Sequence, residues 1–209
     1  MKDLVALVAD KDMEYALKGL FTRTKALAIR SVEADILVHP QHDPACARGG
    51  VEFLSRMAGR YRQALLMFDF EGCGMEGRFS HDEIEEQNDR KFMATEWGNR
   101  AKTIVLVPEL ENWIWSDSPH VDDVAGWKGR NPSLRNWLIE KSFLQGGESK
   151  PADPKRAFLA ALREARTPKS ANLYFQIAEK VSLSRCRDDS FLKLVDLLRL
   201  WFPRSTKQY

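Results

Sequence analysis

The sequence contains little cysteine, and its three cysteines, Cys46, Cys73 and Cys186, are odd in number and widely spaced. This pattern does not suit a disulfide framework and predicts free thiols in a reducing compartment. The longest apolar runs, such as residues 64–68 and 103–107, are far shorter than the roughly 20 residues that span a bilayer. The first residues turn acidic after a short apolar stretch and lack a cleavage site, so we expect no signal peptide. These absences predict a cytoplasmic protein without a membrane segment.

The composition is that of a folded globular protein. Hydrophobic residues make up 44% of the 209 residues and charged residues 30%, which is too apolar for a disordered chain. Collagen-like, coiled-coil and low-complexity classes are excluded as well. The length fits one domain, or one domain with a smaller appendage, and allows a sizeable core.

Charge is distributed unevenly along the chain. The residues before Trp127 include 15 basic and 22 acidic side chains, a net charge of −7, whereas those after it include 17 basic and 8 acidic ones, a net charge of +9. Such asymmetry is compatible with a segment that binds a polyanion such as nucleic acid. Solvated helix faces are the other explanation, and composition alone leaves both open.

Apolar runs alternate with helical patterns in the first half of the sequence. The runs cover residues 4–9, 35–39, 64–69 and 102–107 and predict four strands. The second intervening helix is expected after the Gly49-Gly50 break, and the third from the Ser80 and Glu83 capping box to about Trp97. We therefore predict an α/β domain over residues 1–115, with a Rossmann-like parallel four-stranded sheet flanked by helices.

The remaining residues, 116–209, have a different character. A loop-rich stretch with several glycines precedes a helix that we expect to begin at Asp153-Pro154, where the aspartate can cap and proline suits the first turn. Two further helices are predicted at residues 170–181 and 188–202. This region is expected to be basic, mostly helical and packed on the α/β domain. Trp113, Trp115 and Trp127 lie around the transition, and we expect them to pack rather than to stack on bases.

Acidic residues follow three of the four predicted strands. They occur in pairs separated by one residue: Asp10 and Asp12, Asp69 and Glu71, Glu109 and Glu111. Sites in open parallel sheets lie beyond the carboxyl ends of the strands, so we expect these side chains to converge there. Clustered carboxylates repel one another, and oxygen ligands suit Mg²⁺ or Mn²⁺. The alternative for any single acid is that it caps the next helix.

The same residues carry a resemblance to a known family. The stretches at residues 8–14 and 68–74, the latter reading Phe-Asp-Phe-Glu-Gly-Cys-Gly, resemble Toprim-like domains of topoisomerases, primases and OLD-family nucleases. The segment Pro-Glu-Leu-Glu-Asn-Trp at 108–113 and the helical tail with Ile177, Cys186 and Phe191 are similar to small bacterial Toprim-like proteins. The narrower resemblance is to an uncharacterised bacterial group found in methylation-associated antiphage defence operons. It implies divalent-metal-dependent phosphodiester chemistry, with nucleic acid and other defence subunits as partners.

The resemblance supplies candidate roles for individual residues. Asp10, Asp12, Asp69 and Glu71 are the catalytic candidates, and the metal candidates are Asp10, Asp69, Glu71, Glu109 and Glu111. The basic C-terminal region, independently of the resemblance, offers Lys128, Arg130 and Arg135 to hold backbone phosphates.

The sequence departs from the Toprim pattern in its first strand. A Glu is expected where Ala9 and Asp10 stand. The shorter Asp10 or Asp12 could substitute for it, and a fold that has kept binding without cleavage is equally consistent with the sequence. The alternatives are therefore a metal-dependent nuclease and a non-catalytic subunit that binds nucleic acid or protein. A phosphatase or nucleotide-binding enzyme would rest on fold analogy alone.

Three other arrangements invite a chemical interpretation. His39, His42 and Cys46 could recruit zinc, although no fourth ligand lies near them in the sequence and a turn built by Pro40 and Asp43 explains the segment equally. Cys73 has no evident basic partner that would make it a nucleophile. The glycines at 72–77 have the spacing of a dinucleotide motif but occur in the wrong strand-helix unit.

Overall fold

The structure is a computed structural model that describes residues 1–116 and 118–204. Four strands form one sheet in the order β2-β1-β3-β4, and all of the pairings are parallel. The strands are β1 (Lys2–Val8), β2 (Ala34–Val38), β3 (Tyr61–Asp69) and β4 (Ala101–Leu106). The sheet is flanked by helices, which confirms the predicted α/β Rossmann-like fold.

Burial explains why these runs become strands. β1 and β3 are the two central strands, and residues 4–8 and 64–68 are completely buried. Strands covered by helices on both faces are continuously apolar, as these two are. β2 lies at one edge, and its residues are only partly buried.

Nine α-helices occur in the described residues. They are α1 (Lys11–Phe21), α2 (Thr24–Leu27), α3 (His42–Ser55), α4 (His81–Met93), α5 (Pro119–Val124), α6 (Leu134–Glu140), α7 (Pro154–Ala165), α8 (Ala171–Lys180) and α9 (Asp189–Trp201). The capping box of Ser80 and Glu83 is formed at the start of α4, and the side chain of Asp153 caps α7. Both predicted helix starts are thus confirmed.

The beginning of α3 differs from the prediction. The helix starts at His42 and contains Gly49 and Gly50, so the glycine pair does not mark a break. A Cβ built on Gly50 would lie 2.5 Å from Cδ1 of Leu66 in β3. Glycine is therefore present because α3 lies close against the sheet, and this contact is invisible in local sequence.

The end of α4 also differs from the prediction. The helix stops at Met93 instead of continuing to about Trp97, and the Thr95 hydroxyl donates to the carbonyl of Phe92 where the chain turns. Trp97 is buried, and its ring N–H donates to the carbonyl of Leu54 at 2.9 Å. The tryptophan thus joins α3 instead of extending α4.

The C-terminal helices pack directly on this sheet-and-helix layer. A Cβ on Gly19 of α1 would lie 2.5 Å from the carbonyl oxygen of Phe175 in α8, so these two helices approach closely. The three tryptophans at the transition are buried, which confirms their packing role, and their ring N–H groups donate to C-terminal acceptors: Trp113 to Asp188 and Ser190, Trp115 to the carbonyl of Pro154, Trp127 to the carbonyl of Ala161. In the described part of the chain, no helix has the length and apolarity needed to cross a membrane.

Candidate metal centre

The strand order determines where a site can form. From β1 the chain continues to β2 on one side of the sheet, and from β3 it continues to β4 on the other side. The topological switch point therefore lies between the adjacent strands β1 and β3. Open parallel sheets bind ligands at this switch point, beyond the carboxyl ends of the strands. Asp10 lies just beyond the end of β1, after Ala9, and Asp69 is the last residue of β3.

Asp69, Glu109 and Glu111 form one buried cluster, which we call the acidic triad. One carboxylate oxygen from each residue lies within 4.8 Å of the other two. Asp69 and Glu109 are 5% exposed, and Glu111 is 2% exposed. Carboxylates that are this close together and this deeply buried repel one another unless a cation or a proton compensates their charge.

Asp69 is held by two hydrogen bonds, one to its side chain and one from its backbone amide. Its Oδ1 accepts a hydrogen bond from the amide of Leu110 at 2.8 Å, and its own amide donates to Oδ1 of Asp43 at 2.8 Å. Burial raises the pKa of Asp69 well above its ordinary value, and the neighbouring carboxylates of Asp43 and Glu111 raise it further. Without an added cation, Asp69 is therefore biased toward its protonated form.

Glu109 has a built-in cationic neighbour. Its Oε1 accepts from the backbone amide of Lys155 at 2.9 Å, and its Oε2 lies 3.2 Å from the Lys155 ammonium. Burial alone would lower the pKa of Lys155, but the carboxylates of Glu111, Glu109 and Asp69 outweigh it, so this pKa is raised. One ammonium faces three carboxylates, so the triad keeps excess negative charge unless it takes up protons or a metal ion.

Glu111 lies in the short 3₁₀ helix Leu110–Trp113, one turn beyond β4. Its Oε1 accepts a hydrogen bond of 2.6 Å from the hydroxyl of Tyr174, which is also buried. Burial raises the pKa of Glu111, and the Tyr174 hydrogen bond opposes that change. The same contact, together with burial, raises the pKa of Tyr174, so the phenol remains a donor.

The acidic triad could hold a metal ion. Its donors are three carboxylates, which are hard oxygen ligands, and they converge at the edge of the sheet where a ligand is expected. A bound cation would also compensate the charge that Lys155 leaves unbalanced. The residues present therefore fit a divalent cation on both chemistry and spacing.

The other acidic candidates lie around the triad rather than in it. Asp10 caps α1, with its Oδ1 accepting from the amide of Met13 at 2.9 Å, although it is close enough to Asp69 to raise the pKa of that carboxyl. Asp12 pairs with Lys169 at 3.0 Å. Glu71 is exposed and lines an open cavity together with Glu109. Two of the proposed metal ligands, Asp10 and Glu71, thus fall outside the triad.

That open cavity lies directly beside the triad. It has a volume of about 550 Å³ and includes Glu71 and Glu109 in its wall. Helix α7 supplies three cationic side chains to the same wall, namely Lys155, Arg156 and Arg163. A ligand in this cavity would meet both carboxylates and cations in its wall.

Sequence reasoning did not identify three residues of this site: Asp43, Lys155 and Tyr174. Asp43 follows β2 and could have been found by the strand-end rule, but it was assigned to a turn. Lys155 and Tyr174 lie 46 and 63 residues beyond their partners Glu109 and Glu111. No local pattern connects residues so far apart.

The proposed phosphate contacts do not form one group. Lys128 is exposed, 3.8 Å from Asp123. Arg130 lies over the ring of Trp127 at 4.7 Å and donates to the carbonyl of Glu164. Arg135 donates to the carbonyl of Glu148 at 2.6 Å and lines a different cavity.

The zinc candidates are not assembled either. His39 accepts from the amide of Gln41, and His42 contacts the carbonyl of Ala9 through Nδ1. Burial raises the pKa of Cys46 to about 12, which disfavours the thiolate that zinc requires. Within residues 1–116 and 118–204, the acidic triad is the one group whose ligand atoms are spaced for a metal. Burial likewise raises the pKa of the Cys73 thiol.

Comparisons with family models, curated proteins and solved structures found no match to this chain.

Proposed function

We propose that the chain is a divalent-metal-dependent, Toprim-like nuclease that uses Mg²⁺ or Mn²⁺ at the acidic triad. The observation that carries this proposal is the convergence of three buried carboxylates beside a cavity lined by both acidic and basic side chains. Oxygen-only ligation favours these two ions over softer metals. Asp69, Glu109 and Glu111 would hold the ion, with Asp10 and Glu71 as outer residues that face it or its ligand.

The bound ion would supply charge neutralisation on a phosphate and an activated water. The side chains of the open cavity would do the rest. Arg156 and Arg163 can hold the phosphates of a nucleic-acid strand. Lys155 fixes the orientation of the Glu109 carboxylate within the triad. Tyr174 fixes the Glu111 carboxylate by its hydrogen bond. Positioning of this kind is a major part of phosphoryl-transfer catalysis.

The biological setting is a separate part of the proposal. The resemblance to proteins of antiphage operons supports a role in bacterial defence in the cytoplasm, together with other subunits. This part has the sequence resemblance as its sole support.

The second candidate is a non-catalytic subunit with the same fold. Two observations favour it. Asp10, in the position of the expected first-strand Glu, uses its carboxylate to cap α1, and Lys155 already neutralises part of the triad. Such a protein would bind nucleic acid or a partner without cleaving a phosphodiester bond.

A cleavage assay separates the two candidates. Purified protein is incubated with labelled single- and double-stranded DNA and RNA in the presence of Mg²⁺, Mn²⁺ or EDTA. We expect metal-dependent cleavage that falls by at least about 100-fold in Asp69→Asn and Glu111→Gln, because loss of a metal ligand removes the ion from the reaction. Asn retains the oxygen that accepts from the Leu110 amide, so folding should be preserved.

The matched control is Glu86→Gln, which removes an exposed carboxylate of α4 whose partner is the exposed Arg90. Its cleavage rate should equal that of the wild type. Binding of nucleic acid without cleavage under every metal condition would support the second candidate. Cleavage that survives in Asp69→Asn would refute the assignment of the site.

A further inference from the structure

A second cavity lies away from the acidic triad, between α5, α6 and the chain that precedes α9. Its volume is about 640 Å³, and none of the triad carboxylates is in its wall. This size suits a small organic ligand, since such sites commonly enclose roughly 300–1,000 Å³.

The rim of this cavity is cationic. One acidic side chain, Asp122, is among its described lining residues, against four basic ones: Arg135, Lys150, Arg185 and Arg187. The ammonium of Lys150 lies 3.5 Å from Asp188, and Arg135 donates to the carbonyl of Glu148, so both are held in place. In the described parts of the chain, Arg187 has no hydrogen bond or ion pair. Arg185 also has an interaction partner, so the positive charge left uncompensated among the described rim residues is that of Arg135 and Arg187.

The floor of the cavity is apolar. It is formed by the buried side chains of Trp115, Leu134, Leu138 and Leu144. The Trp115 ring N–H already donates to the carbonyl of Pro154, so this ring offers contact area but no further donor. A ligand that fits must combine an anionic end with an apolar or aromatic body.

We propose that this cavity binds a nucleotide through its phosphate, either free or at the end of a strand. Arg135 and Arg187 of the rim bind the phosphate oxygens, and the base lies on the apolar floor. Guanidinium groups are suited to phosphate because they present several N–H donors in one plane. The site is independent of the proposed cleavage and requires no metal ion.

Binding in the presence of EDTA tests this site apart from the acidic triad. The probes are inorganic phosphate, AMP, and one short single-stranded oligonucleotide with either a 5′-phosphate or a 5′-hydroxyl, each titrated by calorimetry. We expect AMP to bind at least about tenfold more tightly than inorganic phosphate, because the apolar floor adds contact. Preference for the phosphorylated oligonucleotide over AMP would identify a strand end as the ligand, and the reverse a free nucleotide.

Variants at the rim provide the specificity test. Arg135→Ala with Arg187→Ala should weaken AMP binding by at least about tenfold, since charge-assisted hydrogen bonds to phosphate are lost. The control is Arg56→Ala, which removes an exposed guanidinium of comparable charge that pairs with exposed Glu52.

Three results would overturn the proposal. These are no binding of any probe by the wild type, equal affinity for AMP and inorganic phosphate, and unchanged AMP affinity in the Arg135 and Arg187 double variant. Thermal unfolding of each variant establishes that it is folded. Because EDTA is present throughout, loss of cleavage in the triad variants has no bearing on these outcomes.

Discussion

Tyr174 donates its hydroxyl to Oε1 of Glu111 at 2.6 Å, and both side chains are buried. A buried carboxylate that loses its donor keeps the full cost of its desolvation. The same reasoning applies to Asp69, whose Oδ1 depends on the amide of Leu110. At the scale of single residues, each carboxylate of the triad is thus oriented by a specific donor as well as by proximity.

The Tyr174 hydroxyl should therefore contribute to stability. We predict that Tyr174→Phe lowers the free energy of unfolding by about 1–2 kcal/mol, because the Glu111 carboxylate stays buried without its donor. Urea unfolding at neutral pH measures this change. Tyr15→Phe is the control, since the Tyr15 hydroxyl makes no hydrogen bond in the described residues. An equal effect in both variants would show that the Glu111 contact contributes nothing.

A second residue-scale prediction concerns pH. Hydrogen bonds from Arg30 lower the pKa of Asp3 to about 2, and this pair joins β1 to the chain before β2. Because the folded-state pKa is lowered, the stabilisation is complete above the ordinary pKa near 3.8 and is lost as the pH falls toward 2. Allowing for solvent screening, we predict that Asp3→Asn costs about 1 kcal/mol at pH 7.

The stability difference between wild type and Asp3→Asn should shrink steadily as the pH falls from about 4 through the folded-state pKa near 2. Thermal unfolding over this range measures it. Asp196→Asn, which removes a largely exposed partner of Arg199, should show no such pH dependence. A difference as large at pH 2 as at pH 7 would contradict the assigned role of the Asp3 carboxylate.

At the scale of elements, the strands were predictable and the helix ends were less so. The buried runs in β1 and β3 are continuous and apolar, and such runs indicate covered parallel strands without further information. The start of α3 was predicted wrongly, since Gly50 serves a contact with Leu66 and does not break the helix. A glycine that permits close packing has the same sequence appearance as a glycine that ends a helix.

This interpretation of the glycine pair is testable. We predict that Gly50→Ala destabilises the protein by about 1–3 kcal/mol, because its Cβ would meet the buried Leu66 side chain at 2.5 Å. Gly49→Ala is a matched control in the same helix, where a Cβ would meet nothing within 4 Å. It should be neutral or stabilise by up to about 1 kcal/mol through helix propensity. Chemical unfolding compares the two, and similar losses in both would refute the packing explanation.

At the scale of the whole molecule, the candidate site joins two parts of the chain. Asp69, Glu109 and Glu111 could be predicted from sequence because each lies at or just beyond a strand end, and parallel strands end at the same edge. Which acids are buried together could not be predicted, since Asp10 and Glu71 occupy equivalent sequence positions but lie outside the triad. Lys155 and Tyr174 come from α7 and α8, and only tertiary packing brings them to the site.

The most direct test of this account is calorimetric titration of the protein with Mn²⁺, comparing wild type with Asp69→Asn and with Glu86→Gln as the control. We predict saturable Mn²⁺ binding by the wild type and by Glu86→Gln, and affinity at least about tenfold weaker in Asp69→Asn, because one of three ligands is lost. Absence of Mn²⁺ binding by the wild type, with and without nucleic acid, would contradict the metal centre. So would unchanged affinity in a folded Asp69→Asn variant.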